Sequence, residues 1–155
     1  MFRIFFFPNK PYLFKPKLKT RRFGLMWFEK RRKNQESHYQ GYFTFKPTIN
    51  NKVNIFIDAK KGELSRESLL FFDEFERNYT KICDNLKKPL SDKLSQQELP
   101  KIEINNIKHD FKLDAIIIKK TTPEKQLWRV RFTNSDIAIT GVTFHFENWD
   151  LVKIT

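Results

Sequence analysis

A single cysteine, Cys83, among 155 residues excludes an intrachain disulfide and leaves no second thiolate for a Cys-based metal site. That scarcity points to a reducing compartment, and cytoplasmic residence is the expectation. Glycine is equally scarce, with four residues, and no tract is dominated by Gly, Ser, Pro or Gln, which excludes a long flexible linker or a low-complexity region. The longest apolar runs, such as residues 4–7, 69–72 and 115–118, are four residues each, far short of the roughly 20 that a spanning helix needs. The opening MFRIFFFP is interrupted by Arg3, stops at Pro8 and lacks a small-residue cleavage site, so it does not read as a secretory leader.

Catalytic signatures are missing too. No Gly-rich phosphate loop, G-x-S-x-G elbow or C-x-x-C motif occurs. The three histidines, His38, His109 and His145, are isolated, without the spacing that places two ring nitrogens on one metal. Asp73, Glu74 and Glu76 cluster in one segment, Asp110 and Asp114 in another, and Asp58, Glu63 and Lys60 in a third. A metal-dependent nuclease needs such acids to converge on one ion, and the spacing of these predicts solvated surface instead. Cys83 lies within an apolar helical arc and reads as a core thiol, not a nucleophile. No metal or cofactor is implied.

What the chain does have is charge and aromatic rings, concentrated at one end. Residues 1–33 hold eleven Lys or Arg against one acid, Glu29, leaving +10 of a total formal charge of +12. The same segment carries nine of the 24 aromatic residues, and bases mixed with aromatics attract polyanions. The candidate binding residues are therefore Arg21, Arg22, Trp27, Lys30, Arg31, Arg32 and Lys33.

The patterning predicts one α+β domain over residues 1–155. Residues 1–22, punctuated by Pro8, Pro11 and Pro16, read as a basic, aromatic arm or edge strand. Strands are expected over 23–58, where Phe23, Leu25 and Trp27 alternate, then Tyr39, Gly41, Phe43 and Phe45, then Val53, Ile55 and Ile57. A long helix over 65–88 follows, with Ser65 as N-cap, Leu64 stapled to Leu69, and a stripe of Leu69, Phe71, Phe72, Phe75, Tyr79, Ile82, Cys83 and Leu86. Pro89 is expected to stop it, and residues 91–99 to form a short second helix. Asp73 with Arg77, and Asp84 with Lys88, are spaced to pair along its outer face. Residues 101–155 return to period two and predict a second meander, giving an antiparallel sheet covered on one face by the helix.

The order of segments FGLMWFEK, YQGYFTF, VNIFIDA, LLFFDEFERNYTKI, FKLDAIIIKK, LWRVRF and VTFHFENW resembles small bacterial domains grouped with toxin-immunity proteins. The resemblance implies a non-enzymatic protein that binds and blocks a toxin; the expectation is an immunity-type or phage-related inhibitor engaging a protein partner, and the chain's positive charge suits a toxin with an acidic surface. Composition supports an alternative, a nucleic-acid-binding module in which the bases of the N-terminal limb meet phosphates while Trp27, Phe28 or Tyr12 stacks on a base. Anionic lipid is a further ligand for the same limb. A metal-dependent nuclease or other hydrolase is the third function class.

Overall fold

The computed structural model describes residues 17–29, 37–48, 51–59, 63–96, 104–134 and 139–155. Among these residues eight strands form one sheet in strict chain order: β1 (Lys17–Thr20), β2 (Gly24–Glu29), β3 (His38–Thr44), β4 (Lys52–Asp58), β5 (Lys112–Thr121), β6 (Gln126–Asn134), β7 (Ile139–Glu147) and β8 (Asp150–Ile154). Every neighbouring pair is antiparallel except β4 with β5, which run parallel. A parallel pair needs a crossover, and helix α1 (Arg66–Gln96) supplies it, so two four-strand meanders are fused at their seam by one helix. The expected α+β arrangement is thus present. Among the described residues no helix is long and apolar enough to cross a membrane.

Helix α1 begins as its sequence predicts: the Ser65 hydroxyl accepts the Ser68 amide at 3.1 Å, satisfying a first-turn donor. Its buried stripe runs Phe71, Phe72, Phe75, Tyr79, Ile82, Cys83 and Leu86. Leu69 falls just beyond the edge of that arc and is exposed, while Ser68 is buried and bonds the Thr121 hydroxyl at 3.3 Å. Pro89 does not end the helix, which runs 31 residues from Arg66 to Gln96 in place of a separate second helix. Leu90 and Leu94 keep the stripe in phase and are buried, so tertiary contacts beyond the proline hold the turn whose hydrogen bond the ring removes. Asp73 turns to Arg22 of the β1–β2 turn at 2.9 Å rather than to Arg77, because a guanidinium held over Phe72 is already beside it.

In the first meander β3 and β4 keep the alternation of their sequence, with Tyr39, Phe43, Val53, Ile55 and Ile57 buried, but β2 is out of phase with it. Gly24 has φ +67°, a left-handed turn conformation, and β2 starts there. Phe23, one residue before, is buried in the turn; Met26 and Phe28 then face the helix, while Leu25 and Trp27 face the opposite side. The core is dense with rings: Phe23 meets Phe72 edge to face at 4.8 Å, and Trp128 of β6 stacks on Phe146 of β7 at 3.9 Å. Two elements were not expected. A one-turn helix, α2 (Ile107–Asp110), is started by Asn106 and seats Ile107 in the core; Ile104, read as strand, lies in the coil before it. β8 forms a final hairpin with β7, and Trp149 at its tip stacks on Phe71 of α1 at 5.3 Å.

Candidate functional site

Of the residues nominated from composition, the three that are described, Arg21, Arg22 and Trp27, do not assemble in one place. Arg21 and Arg22 occupy the β1–β2 turn, pinned by the Thr20 hydroxyl, which accepts the Phe23 amide at 2.8 Å. Arg22 reaches back to the helix, bridging Asp73 and Glu76 with its guanidinium 5.2 Å from the Phe72 ring centroid. Arg21 stays exposed and borders an open cleft of about 270 Å³ with Arg22, Phe43, Thr44, Lys46 and Glu76. Trp27 lies on the other side of the sheet, away from α1. Lys30, Arg31, Arg32 and Lys33 lie outside the described residues.

Trp27 belongs to a larger feature. Strand register places Trp27 beside Gln40, Gln40 beside Phe56, Phe56 beside Ile117, Ile117 beside Arg129, Arg129 beside His145 and His145 beside Lys153. These seven positions form one unbroken row across β2 to β8 on the face opposite α1, because directly paired residues share a face of the sheet. All but the exposed Lys153 are half-buried, and both described helices pack on the opposite side. A flanking row runs Tyr42, Asn54, Ala115, Arg131 and Thr143. Tyr42 is 54% exposed and holds the Lys52 ammonium 5.7 Å from its ring centroid. The row is apolar and aromatic toward β2 and cationic toward β8.

No protein-family model, curated protein or solved structure matches the chain. Its function must therefore be read from the chemistry of this face.

At the cationic end, neither Arg129 nor Lys153 has an ion-pair partner among the described residues. Partial burial, then the flanking charges of Arg129 and Lys153, hold the His145 pKa below its ordinary value. Its Nε2 lies 2.9 Å from the Thr155 hydroxyl. Glu147, the acid nearest along β7, is taken by Lys125 at 2.9 Å. Arg131 stands 3.6 Å from Asp114, which occupies a bulge in β5. The unbalanced positive charge here is a place where an anion is stabilised and water is the competing ligand.

The acids that a nuclease would need are dispersed. Asp110 accepts the amides of Asn105 and Asn106 at 2.9 and 2.8 Å, and Asp73 and Glu76 hold Arg22. Among the described residues no three His, Cys, Asp or Glu side chains are grouped to hold a metal ion. His38 is buried, its Nε2 3.8 Å from Glu29 and its ring 5.7 Å from that of Phe56. Cys83 is a buried thiol, pushed up to about 11 mainly by desolvation, so it is protonated and inert at neutral pH.

Sequence reasoning missed Phe56, Ile117, Arg129, Arg131 and Lys153. The outward phase of Phe56, Arg129 and Arg131 was legible, since each alternates with core residues of its strand; Ile117 lies in a run of four apolar residues that hides its phase, and Lys153 follows an exposed valine. That they line up depends on the parallel β4–β5 seam joining two segments about 60 residues apart, and no local pattern encodes that register.

Proposed function

We propose that this protein binds nucleic acid through the face of its sheet opposite α1. The single observation that carries the reading is the cross-strand row in which stacking side chains, Trp27 and Phe56, are continuous with cations, Arg129 and Lys153. Bases need flat apolar partners and phosphates need cations, and sheet faces bearing both are a recurrent solution to that pairing. Titration of the intact chain with a labelled oligonucleotide across a salt series tests it. Binding should weaken linearly on a log–log plot, and the R129E/K153E double variant should lower the slope by about 0.7 for each phosphate contact removed. No binding at low salt, or a slope unchanged in that variant, overturns the reading. Charge reversal at Arg31, Arg32 and Lys33 separates the sheet face from the basic segment that composition nominates.

A second reading, an immunity-type or phage-related inhibitor of a protein partner, is favoured by β8. It ends the sheet among the described residues, and its Val152 is 61% exposed, so an extended segment of a partner has an edge to pair with. Copurification from native cells followed by mass spectrometry tests this reading, and recovery of no stoichiometric protein removes it.

A further inference from the structure

We infer that the ligand is single-stranded, and that about five unpaired nucleotides cross the sheet from Trp27 to Lys153, at right angles to the strands. The inference rests on the nucleic-acid reading above and specifies the form of ligand. Strands lie about 4.8 Å apart, so the six steps from β2 to β8 span roughly 29 Å along the row. A single strand advances about 3.4 Å per nucleotide when stacked as in a duplex and roughly twice that when bases are splayed onto side chains, so this length takes about five nucleotides.

The order of chemistry along the row decides between one strand and two. Trp27, Gln40, Phe56 and Ile117 occupy four consecutive positions with no charge among them. A duplex would present phosphates to that half and gain nothing, because its bases are already stacked on one another. An unpaired strand gains twice: its free base faces cover Trp27 and Phe56, while its next phosphates reach Arg129 and Lys153, two strands apart. Gln40 lies between the two rings in register, and its amide carries both a donor and an acceptor for the exposed edge of a base. Trp27 and Phe56 are therefore stacking residues, Arg129 and Lys153 phosphate residues, and Gln40 the specificity residue of one track.

The test uses the full chain with a graded series of oligothymidylates, the other homopolymers, and a duplex of matched length. Affinity should climb to about five nucleotides and then level, and the duplex should bind at least about tenfold more weakly. W27A and F56L should each weaken single-strand binding about tenfold at an unchanged salt slope, leaving duplex binding unmoved. F56L keeps apolar volume in a half-buried site, and a circular dichroism spectrum unchanged from the parent separates lost stacking from lost fold. Q40A should narrow the affinity differences among homopolymers. Equal affinity for duplex and single strand, or an affinity that keeps rising with length, overturns the track while leaving the nucleic-acid reading intact. Absence of all binding, or insensitivity to R129E/K153E, removes both.

Discussion

The guanidinium of Arg131 lies across the backbone of Gly141, its diagonal neighbour on β7: a methyl placed at Gly141 would stand 2.7 Å from Nε and 2.9 Å from one terminal nitrogen. Glycine at this position gives an arginine room to lie flat on the sheet, next to the cationic end of the row.

G141A should therefore act on binding more than on stability. The group it displaces is the far end of a flexible side chain, and alanine is favoured over glycine in a strand by roughly 0.5–1 kcal/mol, so the denaturation midpoint should hardly move. Oligonucleotide affinity should fall as Arg131 is pushed off the face. A large stability loss with unchanged affinity would contradict this.

Arg22 fastens the β1–β2 turn to α1. R22A should destabilise by about 1 kcal/mol, the sum of a modest exposed ion-pair network and a cation–π contact with Phe72. A double-mutant cycle with E76A, read from urea unfolding, should give a coupling that shrinks with added salt.

Pro89 sits inside a helix that continues past it, half-buried and outside the core cluster. P89A should restore the missing backbone hydrogen bond and raise unfolding free energy by about 1–3 kcal/mol. A midpoint shifted downward would show that the ring contributes more through packing than it costs in the backbone.

His145 should make stability, and the proposed oligonucleotide binding, depend on pH. Its folded pKa lies below the unfolded one, so the unfolded chain holds more protons in the window between them; stability is full above about pH 6.5 and declines as pH falls through that window. A phosphate docked beside Arg129 and Lys153 offsets their charge and raises the His145 pKa, so binding takes up protons and strengthens toward acid pH. H145Q should flatten that dependence, measured by titrating oligonucleotide between neutral and mildly acidic pH.

Cys83 should resist alkylation in the folded protein at neutral pH and react once the chain is unfolded in urea. Rapid labelling under native conditions would contradict the buried, protonated thiol described above.

Much of the fold was legible in local pattern, because short-range chemistry determines it. Ser65 caps α1 through its own third neighbour, and the stripe from Phe71 to Leu86 has helical period whatever it packs against. The helix past Pro89 was not legible, since the contacts of Leu90 and Leu94 that hold it are tertiary. Nor was the phase of β2, where one glycine at positive φ rotates every following side chain to the other face.

The sequence by itself determined most of the core, the helix as far as Pro89, the two meanders apart from β8, and the inward face of β3, β4, β6 and β7, all of which follow from periodicity and capping between near neighbours. The tertiary structure alone decided which of the basic and aromatic residues share a face of the sheet. Arg22, adjacent in sequence to the rest of the basic limb, went to the helix, because two carboxylates and a ring met it there. Trp27 went to a row completed by Phe56, Arg129 and Lys153, because the β4–β5 seam aligned meanders that the chain separates by a whole helix.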